Sequence, residues 1–140
     1  MAEQSIGKNR LIKLSADGTP GGELKLLTCQ GASTLNTGKS ANRKKYKDCT
    51  VTSVQNEGVS ISSQFAPQNP MSEGQALAFQ AHDEERSWYC ELEPTKAGLR
   101  GYRGMFKVVI TSEEDPEDGT ETTASIELSE DGAPIVAFTA

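Results

Sequence analysis

Few residues in this chain have the type and spacing to do chemistry. The single histidine, His82, is followed directly by Asp83, Glu84 and Glu85. A general base needs a partner that orients it. Three carboxylates trailing the end of a predicted helix describe instead a helix C-terminal cation favoured by the dipole. The run Ser33-Thr34-Leu35-Asn36-Thr37-Gly38-Lys39-Ser40 ends like a phosphate-binding loop, but that motif needs Gly five residues before its Gly-Lys pair, where this chain has Ser33. No apolar strand feeds it either, so the nucleotide reading fails.

Metal and thiol chemistry fare no better. Cys29, Cys49 and Cys90 are an odd number, and no two Cys or His residues stand two to four apart as a zinc site requires. Met1-Ala2-Glu3-Gln4-Ser5 has neither a basic nor an apolar signal region, so three reduced thiols in a cytoplasmic setting are expected. The acidic tract Glu113-Glu114-Asp115-Pro116-Glu117-Asp118 lacks the spaced Asp/Asn–Gly–Glu order of a calcium loop, and Pro116 stiffens its centre. It reads as a solvated hairpin tip. No cofactor and no enzymatic activity are expected.

The elements that would carry these residues are mostly strands. Gly, Ser and Thr are plentiful and only 6% of residues are aromatic, which favours short strands and turns over helices. Arg10–Leu14 and Glu23–Cys29 flank the turn Asp17-Gly18-Thr19-Pro20-Gly21-Gly22 and form a predicted hairpin. Thr50–Val54 and Val59–Ser62 alternate with period two around Asn56-Glu57-Gly58 and predict a second hairpin with one wet face. Ser72-Glu73-Gly74-Gln75 has the form of a capping box, opening a helix that runs to Asp83 and buries Leu77, Ala78, Ala81 and Phe79. Trp88–Glu93, Tyr102–Thr111 and Thr122–Leu128 follow as three strands, and Ile135–Phe138 is a short last strand or arm. Trp88 and Tyr89 are expected to anchor the core. Seven or eight strands and one helix predict a mainly β domain over residues 1–140, a sandwich or partial barrel with a flanking helix.

Charge is distributed unevenly along this frame. The net charge is −6, which excludes non-specific affinity for nucleic acid, and no apolar run reaches the about 20 residues that span a bilayer. Residues 31–48 are small and polar apart from Leu35 and Tyr46, and carry Lys39, Arg43, Lys44, Lys45 and Lys47. An unstructured loop that long in a compact domain is usually functional or disordered. Most of the acid lies in the other half of the chain. That asymmetry predicts contacts between copies.

The order of these elements resembles the tail tube (major tail) proteins of long, non-contractile-tailed bacteriophages and of gene transfer agents. The resemblance rests on several features. A polar arm leads into Gly7-Lys8-Asn9-Arg10-Leu11-Ile12-Lys13-Leu14, followed by Asp17-Gly18 and a second strand. A long loop, a hairpin, a small helix and the strand Trp88–Leu92 come next. Gly101-Tyr102-Arg103-Gly104-Met105-Phe106-Lys107-Val108 is similar to the family's strand with a Gly-x-Phe-type step, and Thr123–Gly132 to its closing strand and turn.

The resemblance implies a structural virion protein that forms hexameric rings, which stack into the tube through which DNA leaves the capsid. It implies four strands per subunit in a shared inner barrel. It also implies ring-to-ring bridging by the N-terminal arm 1–9, the C-terminal arm 133–140 and the loop 31–48, with Asn36, Lys39, Arg43, Lys44, Lys45, Tyr46 and Lys47 as contact candidates. The acids 113–118 are then lumenal or inter-ring. Implied partners are copies of itself and the tape measure, tail tip and terminator proteins. DNA passes without specific binding, no membrane is involved, and the tail is assembled in the host cytoplasm. A tube protein of a contractile tail or secretion system, or a monomeric β-sandwich binding module, are the alternative readings.

Overall fold

Alternation of apolar and polar residues dictates a sheet with one dry face, and the computed structural model contains one. It describes residues 10–56, 58–117, 122–131 and 135–139. The strands are β1 (Arg10–Ser15), β2 (Leu24–Leu26), β3 (Thr34–Asn36), β4 (Lys39–Lys45), β5 (Thr50–Asn56), β6 (Ser60–Phe65), β7 (Ser87–Pro94), β8 (Arg100–Glu114), β9 (Thr123–Glu130) and β10 (Val136–Thr139), with helix α1 (Glu73–Glu84) between β6 and β7. Eight strands form one sheet in the order β2-β1-β7-β8-β9-β6-β3, with β10 added to β8, and β4 and β5 form a separate two-stranded ribbon. Every pairing is antiparallel.

The central strand is β8, at 15 residues the longest described. One edge pairs with β7 from Tyr102 to Lys107, and the other pairs with β10 near its start and β9 from Phe106 onward. Its dry face places Phe106 opposite Trp88, which is fully buried and donates its indole N–H to the Ser15 carbonyl at 2.7 Å. Ile12, Leu14, Leu92, Ile126, Leu128, Ile61 and Phe65 complete a single core under α1. Burying each such side chain stabilises the fold by about 1.5–3 kcal/mol. Phe79 of α1 meets Phe65 edge to face at 5.9 Å.

The sheet curls because the chain after β2 crosses from one flank to the other. Gln30 pairs with Phe65 at the end of β6, the Gly31 amide donates to Gln64 and that of Ala66 to Cys29. The side chain of Gln30 also accepts from the Ile12 amide and donates to the Ile12 and Leu27 carbonyls. One glutamine thus ties both flanks together. This is the partial barrel the strand count predicts.

Helix α1 begins as expected. Ser72 is its N-cap and accepts from the Gln75 amide. The reciprocal half of the capping box is absent, because the Gln75 side chain turns inward. Fully buried, it accepts from the Gln68 amide and donates to the Thr28 and Ala66 carbonyls, each at 2.8–2.9 Å. Gly74 lets the helix approach β2 so closely that a Cβ there would stand 1.8 Å from the Leu26 carbonyl oxygen.

Two expectations need correction. Thr50–Val54 does not pair with Val59–Ser62: β5 pairs with β4, while β6 pairs with β3 and β9. Residues 31–48 are not a structureless loop but hold β3 and β4. Alternation identifies a strand and not its partner. A strand wet on both faces, such as β4, has no apolar alternation to reveal it. The proposed arm 1–9, Glu57, Asp118 and Gly132 lie outside the described residues, as do positions 133, 134 and 140 of the C-terminal arm; the rest of that arm holds β10, added to the sheet at β8.

Candidate assembly surfaces

The ribbon is built by backbone pairing alone. Seven consecutive pairs join Lys39–Lys45 to Asn56–Thr50, and the Tyr46 amide donates to the Cys49 carbonyl to close the tip. Every residue from Lys39 to Val54 is exposed, Val54 at 68% and Tyr46 at 52%. Its neck is narrow. Gly38, at φ +71°, packs against Gly58 so tightly that a Cβ would fall 1.9 Å from the Gly58 carbonyl oxygen. Left-handed backbone and close approach together demand glycine there.

Strand alternation sorts the predicted contact residues onto two faces. Lys39, Arg43 and Lys45 stand on one, opposite Asn56, Thr52 and Thr50. Lys44 lies on the other, its ammonium 5.6 Å from the Tyr46 ring. Lys47 sits in the tip between them. Asn36 is engaged in the turn into the ribbon, its side chain accepting from the Gly38 amide at 2.9 Å. The basic run is therefore not one patch but a cationic face and a mixed one.

The acidic candidates sit on the hairpin between β8 and β9. After Ile110 pairs with Ile126, β8 carries one extra residue, so that Ser112 pairs with Ser125. This bulge shifts the alternation and turns Glu113 towards the face of α1 and Glu114 to the opposite face. At the bulge the Ile110 amide donates to Nδ1 of His82 at 3.1 Å. His82 lies in the last helical turn, as predicted, and its Nδ1 joins the helix end to the bulge. Glu113, Glu114, Asp115 and Glu117 are exposed, and Asp115 accepts from the Thr122 hydroxyl at 2.6 Å.

Register places the two charged regions at opposite ends of the sheet. β3 runs antiparallel to β6 towards Asn36, which pairs with Ser60; Ser60 in turn pairs with Ser129, beside Lys107 at the midpoint of β8. The ribbon therefore leaves near the midpoint of β8, on the side facing its Arg100 end, and Lys39 and Arg100 line one cleft. The acidic hairpin tip extends from the end where β8 finishes. From Lys107 to Glu114 alone the strand covers about 23 Å, almost three times the about 8 Å over which charges act at physiological salt. The four ion pairs among the described residues (Lys13–Glu93, Lys25–Glu23, Lys25–Glu73 and Arg86–Glu84) involve neither region.

A cleft of about 390 Å³ opens beside the ribbon neck, lined by Thr37, Lys39, Val59, Arg100, Tyr102, Glu130, Ile135 and Ala137. The Arg100 guanidinium stands 5.3 Å from the Tyr102 ring centre. Glu130 accepts from the Val59 amide at 2.8 Å and so forms part of the wall. Sequence reasoning missed Arg100 and Glu130, which are 30 residues apart and have no motif; only the flanks of predicted strands marked them. No cluster of His, Cys, Asp or Glu able to hold a metal exists among the described residues, and no described helix is long and apolar enough to cross a membrane. The thiols are free, Cys29 and Cys49 exposed and Cys90 buried, where desolvation pushes its pKa up.

Two solved structures share this fold. A chain from the tail of an empty gene transfer agent particle, determined by helical refinement with C6 symmetry, aligns with 98% of this chain and 100% of its own length, at a TM-score of 0.73 and 17% identity. A chain from the virion of a native gene transfer agent particle aligns over 95% and 99%, at a TM-score of 0.64 and 14% identity. No family model and no curated protein matches the sequence. The fold, from first to last strand, is that of a gene transfer agent tail chain.

Proposed function

We propose that the chain is the tube subunit of a phage-like tail. It is a structural protein and not an enzyme. It closes into hexameric rings that stack into a conduit for DNA and join other tail proteins at the tube's ends. The observation that carries this reading is the separation of charge along β8, with a cationic ribbon and cleft at one end and an acidic tip at the other. A subunit so arranged cannot satisfy its own charges and pairs head to tail with the next. Head-to-tail contacts that no rotation closes continue open-endedly, so contacts of this kind between layers build stacks. The C6 symmetry of the related tail particle supports six subunits per layer. The ribbon, exposed on both faces and joined to the sheet only at its neck, is a bridge between layers.

The net charge of −6 suits the conduit, because an acidic wall repels phosphate and lets DNA slide. Negative-stain electron microscopy of the purified protein is expected to show tubes or stacked rings. A protein that stays monomeric at high concentration, with or without a tail-tip initiator, overturns the reading.

A further inference from the structure

The tube reading leaves open which cations receive the acidic tip. The ribbon offers Arg43, Lys45 and Lys47, which are exposed, as Lys39 and Arg100 in the cleft also are, and an exposed charge pair contributes at most about 1 kcal/mol. The cleft at the ribbon neck is a better receptor for three reasons. It is concave, and its volume of about 390 Å³ lies within the about 300–1,000 Å³ typical of sites that enclose a small group. Its arginine is held in place: the guanidinium lies over Tyr102, and the Arg100 carbonyl accepts from the Arg10 side chain at 2.8 Å. Its two cations, Lys39 and Arg100, make no ion pair among the described residues, whereas its one carboxylate, Glu130, already accepts from the Val59 amide. The excess charge in the cleft is positive, and Arg43 and Lys45 extend it along the same ribbon face as Lys39.

We infer that this cleft seats the acidic β8–β9 tip of a second copy of the chain, with Glu114 or Glu117 reaching Arg100 and Lys39. This assignment rests on the tube reading and sharpens it. The ribbon then flanks the docked tip instead of receiving it end on. The tip and the cleft lie at the two ends of the same strand, so one copy presents both halves of the contact. A guanidinium already oriented by an aromatic face loses less freedom on meeting a carboxylate than a free lysine does. Val59, Ile135 and Ala137 supply the apolar part of the walls beside the pair.

Charge exchange tests the assignment, with wild-type protein as the control for tube formation. Lys39→Glu with Arg100→Glu, and separately Glu114→Lys with Glu117→Lys, are expected to leave the melting temperature and circular dichroism near wild type. Each is expected to cut pelletable tubes at least tenfold. Combining all four changes in one chain, or mixing the two double variants, should bring tubes back. The same acidic-tip variant combined with Arg43→Glu and Lys45→Glu should stay unassembled. The cleft assignment is overturned if that ribbon combination restores tubes, if the cleft combination does not, or if the cleft variant assembles normally. In each of these cases wild-type tubes still stand and the tube reading survives. Absence of wild-type tubes overturns both.

Discussion

The curled sheet and the ribbon are made of the same kind of backbone pairing but answer to different physics. In the sheet, β7, β8 and β9 bury Trp88, Phe106, Ile126 and Leu128 on one face, and each strand pair is backed by core contacts. In the ribbon, β4 and β5 pair over seven residues without a buried side chain among those described. An isolated two-stranded hairpin is at best marginally stable in water. In the proposed tube, the ribbon pinned at its two-glycine neck is kept for contact with another copy. Folding free energy resides in the sheet, and on that reading assembly free energy resides at the ends.

The sharpest test of this contrast is in the core. Trp88→Ala removes the largest buried side chain and its hydrogen bond to Ser15, and should cost about 3–5 kcal/mol in urea unfolding. A loss below about 1 kcal/mol would mean that the sheet does not carry the stability. Gln75→Ala comes next. It strands the Thr28 and Ala66 carbonyls and the Gln68 amide beneath α1, and about 1–3 kcal/mol is expected for each buried group left without a partner.

The ribbon should behave in the opposite way. Reversing Arg43, Lys44 and Lys45 together is expected to shift unfolding by no more than about 0.5 kcal/mol, as for other surface changes, while sharply reducing polymerisation. A destabilised subunit would break the division of labour, and normal tubes would remove the ribbon from the layer contact. Thiol labelling sharpens the same contrast without mutation. In the free subunit Cys29 and Cys49 should react with maleimide and Cys90 only after unfolding, since burial both shields its thiol and raises its pKa. On tube formation Cys49, at the ribbon tip, should become protected.

The smallest effect concerns Asp17 in the first hairpin. Hydrogen bonds from the backbone and side chain of Thr19 and from the Ser15 hydroxyl hold its carboxyl below the usual range. A depressed folded value stabilises above the unfolded value, about 3.9, and that contribution is lost as pH falls through the folded one. Asp17→Asn should therefore lower stability slightly at neutral pH and converge with wild type in acid, which flattens the acid limb of the stability curve.

What the sequence determined by itself is local. The Asp17–Gly22 turn placed the β1–β2 hairpin, period-two alternation placed β5 and β6, and Ser72 placed the start of α1, because each signal lies within a few residues of what it specifies. The charge asymmetry of residues 31–48 and 113–118 was equally legible. Tertiary structure alone decided the partners. β5 joins β4 rather than β6, Gln30 and Gln75 turn inward to close the sheet, and His82 meets the bulge at Ile110. Only the register could show that cations and carboxylates stand at opposite ends of β8. The physical reason is range: propensity and alternation act between neighbours, whereas strand pairing and the cleft joining Lys39 to Arg100 unite residues far apart in the chain, which no short window of sequence contains.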